Sequence, residues 1–509
     1  MVKRPIKIKH IGVFVVLLVF VAIISYFYLQ NSLNIHFVDE DENIVGGFFL
    51  LKDKMLYSDI FVQHQPLAYW VSSQIQNIIK PHSIFTLIRS HRIFMIAWSA
   101  FWILLLYYRY GVSLALTSII YEILKVFLLG NVFLAESLVV YPTVYLVSLL
   151  FYKRGKISSA ESFFIGFVSS IIFFLLSPLW FLLIYIVGLL IVGKKITKQN
   201  ITFFFMGWIP PTILALKISD LISYVYSTIY INVFQYIPSD TSGFEPNVFK
   251  SFFAPVITLV DGKYGYLDIL YKVFVLVVLA GLYELVRKKK YWVAINIFIL
   301  LGLSNIRYVP AGEVLYRGFH MLVWFSLLIF FFVYFLTHFF ERAKSLWSQV
   351  ADVSITAAVI ILSVVATKNL LFVKRDVQKD YYINYSPLYD LGEATRIMKR
   401  EGDALFQAPD KMLIYWQADI GNASNFIFFY PWMKDDKLLS NQMEEMFEND
   451  PPEFFYYDKK YISLEEHRPG YVALLRDGVE TGMFVKPEVV ENLSEKQQGN
   501  LEYLRFYWE

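Results

Sequence analysis

Long apolar runs interrupted by short basic turns constrain this chain more than any other feature. The first, IGVFVVLLVFVAIISYFYL at 11–29, follows a head bearing Lys3, Arg4, Lys7 and Lys9. No small-residue cleavage pattern follows it, so it reads as a retained anchor rather than a signal peptide. Further runs lie at 93–109, 112–129, 131–151, 158–175, 178–193, 201–217, 267–286, 291–304, 315–337 and 351–368, eleven in all. Across 509 residues the chain is 57% hydrophobic and 17% charged. Its mean hydropathy is +0.49. A soluble domain does not reach these values, and the expected fold is a polytopic α-helical membrane protein with about eleven transmembrane helices.

The charges between the runs predict an orientation. With the N-terminus inside, every cytoplasmic turn is basic: Arg109, then Lys153, Arg154 and Lys156, then Lys194, Lys195 and Lys198, then Arg287 to Lys290, then Arg342 and Lys344. The loops 30–92, 219–266 and 305–314 then fall outside, as does the C-terminus, because the span count is odd.

Residues 369–509 lose the long apolar runs and read as a small extracytoplasmic α/β domain. ALFQAP, MLIYW and YVALL are expected as strands, and LGEATRIMKREG as a helix. The expected division is thus a transmembrane domain, 1–368, that includes the external loop 30–92, and a second domain, 369–509. The aromatics of IYWQADIGNASNFIFFYPW suit a core, with stacking on sugar rings as the alternative. Within the third span, Glu122 and Lys125 stand at i, i+3, where a buried pair would form.

Several chemistries are excluded. The chain has no cysteine, which removes thiolate metal sites and cysteine nucleophiles, and its net charge of +3 gives no footprint for nucleic acid. Neither a P-loop, a dinucleotide glycine fingerprint, H-E-x-x-H nor G-x-S-x-G occurs.

The candidate residues lie in the loops expected outside. FVDEDENIVGGFF at 37–49 puts Asp39, Glu40, Asp41 and Glu42 in a row. Two like charges about 6 Å apart at an effective dielectric near 20 repel by about 3 kcal/mol, so an ordered run needs a cation, protons or water. A solvated juxtamembrane turn is the plain alternative. Two helices are expected over 43–80: one with Ile44, Phe48 and Leu51 on an apolar face lying on the membrane surface, and one opened by Pro66. Glu136, Arg307, Arg317 and His320 complete the set.

Asp39-Glu40, a Gly-bearing amphipathic segment, Tyr57-Ser58-Asp59 and His64-Gln65-Pro66-Leu67 follow one another in order. This series resembles the first external loop of GT-C glycosyltransferases, closest in look to the protein O-mannosyltransferase and aminoarabinose transferase group. The resemblance implies a polyprenyl-phosphate-linked sugar donor and a protein, lipid or glycan acceptor at the outer face of a bacterial or archaeal plasma membrane. It further implies that Asp39, with Glu40 beside it, serves as general base or as ligand of a divalent metal such as Mg or Mn. Asp41 and Glu42 look like extras, so Asp41→Asn should cost far less than Asp39→Asn. Tyr57, Asp59, His64 and Glu136 are implied in substrate binding, and Arg307, Arg317 and His320 in holding the lipid phosphate. The competing class is a transporter or lipid-linked-sugar flippase, which would place its acids at the membrane midplane and show repeated halves.

Overall fold

The computed structural model describes residues 8–153, 155–236, 248–253, 257, 267–305, 318–340, 346–372 and 385–509. Helix α1 (Ile8–Gln30) is followed by α2 (Val38–Leu51), α3 (Pro66–Ile79), α4 (Ile84–Tyr110), α5 (Val112–Leu124), α6 (Ala135–Phe151), α7 (Ser159–Leu175), α8 (Trp180–Val192) and α9 (Lys198–Lys217). Asp268–Arg287, Tyr291–Ser304, Leu322–Phe340 and Leu346–Thr367 follow. Each expected span thus coincides with a helix. Among the described residues five segments are long and apolar enough to cross a membrane: Gly12–Gln30, Ile84–Tyr110, Asp268–Arg287, Gly318–Thr337 and Ser354–Phe372. The structure thus fits a helical membrane protein, and five of the eleven expected spans reach crossing length among the described residues. Shorter apolar helices such as Ala135–Phe151 and Tyr291–Ser304, 17 and 14 residues long, rise only about 21–26 Å against a hydrocarbon layer of about 30 Å.

The chain divides into two compact units. One comprises Met1–Ser32, Arg92–Ile213 and Pro246–Arg375; the other comprises Leu33–His91, Leu214–Glu245 and Asp376–Glu509. The loop expected as an appendage of the transmembrane domain therefore belongs to one unit with the C-terminal residues.

In the first unit, residues far apart in sequence gather at the two ends of α6. At its C-terminal end Arg109 Nη2 donates to Glu161 Oε1 at 2.9 Å and Lys153 Nζ to Glu161 Oε2 at 2.8 Å. Lys195 Nζ donates to the carbonyls of Leu149, Leu150 and Lys153. Three successive basic turns thus share one end, as alternating helices require. Arg154, Arg307, Arg317, Arg342 and Lys344, and the basic head Lys3, Arg4 and Lys7, lie outside the described residues. The Glu122–Lys125 pair forms at 2.8 Å, with Tyr141 Oη donating to Glu122 Oε1 at 2.6 Å and Lys125 Nζ to Ser99 Oγ at 3.0 Å. The pair is buried and its charged atoms meet neighbouring side chains, as the i, i+3 spacing predicts.

The second unit is built on a mixed sheet of order β2-β1-β3-β5-β4-β6. Its strands are β1 (Ala404–Ala408), β2 (Gly421–Asn422), β3 (Phe454–Tyr457), β4 (Val472–Arg476), β5 (Val479–Val485) and β6 (Phe506–Trp508). β1 pairs in parallel with β2 and β3, and the remaining pairs are antiparallel. Asp477 (φ 51°) and Gly478 (φ 79°) make the tight turn of the β4–β5 hairpin. ALFQAP and YVALL supply β1 and β4, and LGEATRIMKREG supplies most of the helix Ser386–Met398. MLIYW departs from expectation: Leu413–Ala418 is a short helix ended by Asp419 in the left-handed region. Its residues are apolar on every side, so periodicity could not separate helix from strand. The aromatics around it are core, with Tyr415, Phe426, Phe428 and Phe429 all buried.

Candidate active site

The acidic run is the first turn of a helix. Phe37 caps α2, and Asp39, Glu40 and Asp41 occupy its opening turn, where exposed N–H groups and the helix dipole favour negative charge. Successive side chains leave a helix about 100° apart, so Asp39, Glu40 and Asp41 face three directions and Glu42 returns to within about 60° of Asp39. Glu40 and Asp41 are fully buried and Glu42 is 6% exposed, whereas Asp39 is the one acid of the run that is partly open to solvent.

Asp41 and Glu42 each have their own partners. Asp41 Oδ2 lies 2.5 Å from His36 Nε2. Burial pushes the Asp41 carboxyl up, His36 opposes this, and Glu40 and Asp410 reinforce it. Burial would lower the His36 imidazole, but the charge and hydrogen bond of Asp41 outweigh it and raise it. Glu42 goes the other way. Burial acts against its charged form, yet His64, the Tyr69 hydroxyl and the Gln63 N–H together hold its carboxyl below the usual range. Tyr69 Oη donates to Glu42 Oε1 at 2.5 Å, and His64 Nδ1 is 3.1 Å from the same oxygen. Tyr430 ties Asp39 to this group: its hydroxyl is held neutral by burial first and then by the charges of Asp39 and Glu42.

Two glycines make the arrangement possible. A Cβ on Gly46 would stand 2.3 Å from Tyr69 Cδ1, and one on Gly47 2.6 Å from Ser72 Oγ and 2.8 Å from the Ser73 backbone nitrogen. Mid-helix glycine costs about 1 kcal/mol relative to alanine, and here it lets α2 and α3 touch closely enough for Tyr69 to reach Glu42. Pro66 opens α3 as expected. The surface-lying amphipathic form of α2 is not what is found: residues 40–49 are buried on every side, while Leu51 is 43% exposed.

Tyr57 and Asp59 shape the loop. Asp59 is exposed and its Oδ2 accepts from the Met55 N–H at 2.8 Å; Tyr57, at φ 74°, donates from its buried hydroxyl to the His64 carbonyl at 2.8 Å. The Y-x-D element thus holds the H-x-P-L element in place. Asn232 Nδ2 donates to the Gln63 carbonyl at 2.9 Å and Tyr224 Oη to Gln65 Oε1 at 2.7 Å, which fixes the residues on both sides of His64. In the other unit, Glu136 sits buried in the first turn of α6, with Oε1 3.9 Å from His320 Nδ1.

Among the described residues no group of three or more His, Asp or Glu side chains is placed to hold a metal ion. The donor set explains this: Asp41 is committed to His36, and Glu42 to His64 and Tyr69. A metal shared by Asp41 and Glu42 does not fit these commitments.

His36, Tyr69, Asp410 and Tyr430 have no motif that would single them out in sequence. His36 and Tyr69 meet the acids within the loop itself, whereas Asp410 and Tyr430 do so because folding brings 36–69 and 410–430 into one unit. The fold is that of a helical, membrane-type protein with a small mixed sheet near its C-terminus. Comparison with protein-family models and with curated proteins gives no match.

Proposed function

We propose that the chain is a membrane glycosyltransferase that moves a sugar from a polyprenyl-phosphate donor to an acceptor hydroxyl on the extracytoplasmic side. One observation carries the reading: of four adjacent carboxylates, three are buried and Asp39 alone is open enough to meet a substrate. In the step assigned to it, the acceptor oxygen attacks the anomeric carbon and its proton passes to the Asp39 carboxylate. The bond from that carbon to the phosphate oxygen breaks, and its electron pair stays with the polyprenyl phosphate. The donor is already activated, so no nucleotide site is required. The test uses membranes containing the chain and labelled polyprenyl-phosphate sugars, with and without chelator. Chelator-insensitive transfer that Asp39→Asn abolishes supports the reading; absence of transfer with every donor overturns it.

A further inference from the structure

Glu42 has no role in the step just described, yet it is one of the most heavily provided carboxylates of its unit. It is buried, it stands three residues after Asp39 on the same side of α2, and a single one of its oxygens faces both Tyr69 Oη and His64 Nδ1. The side chain of His64 is 35% exposed. Its backbone carbonyl is held by Tyr57, and its neighbours Gln63 and Gln65 are held by Asn232 and Tyr224. A buried carboxylate 3.1 Å from one ring nitrogen of a half-exposed imidazole on a fixed backbone is placed to bias the orientation and proton position of that imidazole.

We propose that Glu42 is a positioning residue for His64: it keeps a proton on Nδ1, aims Nε2 toward the substrate side, and favours the cationic form of the ring, with Tyr69 setting how strongly it does so. That His64 meets the donor rests on the glycosyl-transfer reading, whereas the Glu42–His64–Tyr69 relation rests on the geometry alone. Tyr69 donates to the oxygen that faces His64, so it competes for the same negative charge. Removing Glu42's charge weakens the hold on the His64 proton, and removing the Tyr69 hydroxyl strengthens it. The charged and titratable groups around the pair are Glu42, Tyr57, Tyr69 and Tyr430, with Asp39 on the same face of α2.

The experiment follows the reaction of His64 with diethyl pyrocarbonate in the full chain as a function of pH. Peptide mass spectrometry separates His64 from the other histidines, and the reagent modifies only neutral imidazole. Glu42→Gln should move the midpoint of His64 modification to lower pH, and Tyr69→Phe should move it to higher pH. In the transfer assay the alkaline limb of the rate profile should shift in the same two directions. An unchanged midpoint in Glu42→Gln overturns the proposal. Should that variant not accumulate, Tyr69→Phe decides alone, and an unchanged midpoint there overturns it. A wild-type chain that transfers no sugar but shows both shifts sinks the functional reading and leaves the positioning relation standing.

Discussion

His36 Nε2 and Asp41 Oδ2 lie 2.5 Å apart, joining the residues just before α2 to a fully buried carboxylate of its first turn. Asp41 is therefore no spare acid. Removing one partner of a buried pair costs about 3–5 kcal/mol, so Asp41→Asn should lower the Tm and abundance of the protein before any effect on chemistry can be read. This replaces the expectation that the substitution would be mild. A Tm and expression level equal to wild type would show that the pair contributes nothing.

The same pair predicts how stability depends on pH. Both groups are raised in the folded protein, so the folded state holds more protons than the unfolded chain wherever either titrates. The His36 contribution is complete below the ordinary imidazole value of 6.5 and is lost as pH climbs through its raised folded value. The Asp41 contribution likewise falls as pH rises above 3.8. Glu42, lowered in the fold, acts oppositely: its contribution is present above 4.5 and lost as pH falls through the depressed value. Thermal unfolding followed from pH 5 to 9 should show a decline above neutrality that His36→Gln removes. A decline of the same size in that variant would place its origin elsewhere.

Asp39→Asn keeps size and hydrogen bonding but removes the base, and transfer should fall by about a hundredfold or more at unchanged abundance. The control is Asp53→Asn, which deletes a carboxylate at an exposed position just past the end of α2. Equal losses in the two variants would return the acidic run to a general electrostatic role.

Gly47→Ala puts a methyl group 2.8 Å from the Ser73 backbone nitrogen, a neighbour that cannot rotate away. Overpacking of this kind costs about 1–3 kcal/mol, and α2 and α3 would have to part. Gly12→Ala, where a Cβ meets nothing within 4 Å, is the matched control. Comparable Tm values for the two would show that the close approach is not needed.

The orientation read from the basic turns predicts that cysteines at Ser58 and Ser424 react together with an impermeant thiol reagent on intact cells. A cysteine at Gly155 should react only after permeabilisation. Labelling of all three in intact cells, or of Ser58 without Ser424, would contradict the alternation of spans.

Much of the helical framework was legible because a 3.6-residue pattern and a basic turn are local signals. Gly46 and Gly47 were visible too, but only as glycines, since what they approach lies on another helix. The acidic run misled for a physical reason: charge density along a sequence says nothing of direction, and a helix distributes four neighbours around its circumference. MLIYW failed because apolar residues on all sides carry no period. The Asp477-Gly478 hairpin signal was present and local. Asp410 and Tyr430 were out of reach, since their relation to the acids exists only after the chain has folded back over more than three hundred positions.

That return of the chain has a temporal side. The Ile84 N–H finds its acceptor at Gln417 Oε1, 333 residues later, and Gln76 receives the Trp416 indole N–H across 340. At synthesis rates of roughly 5–20 residues per second, the segment carrying Asp39 waits about 20–70 s for the residues that complete its packing. During that interval the first loop lacks the residues that later close over Ile84 and Gln76, so its final packing is set only near the end of synthesis.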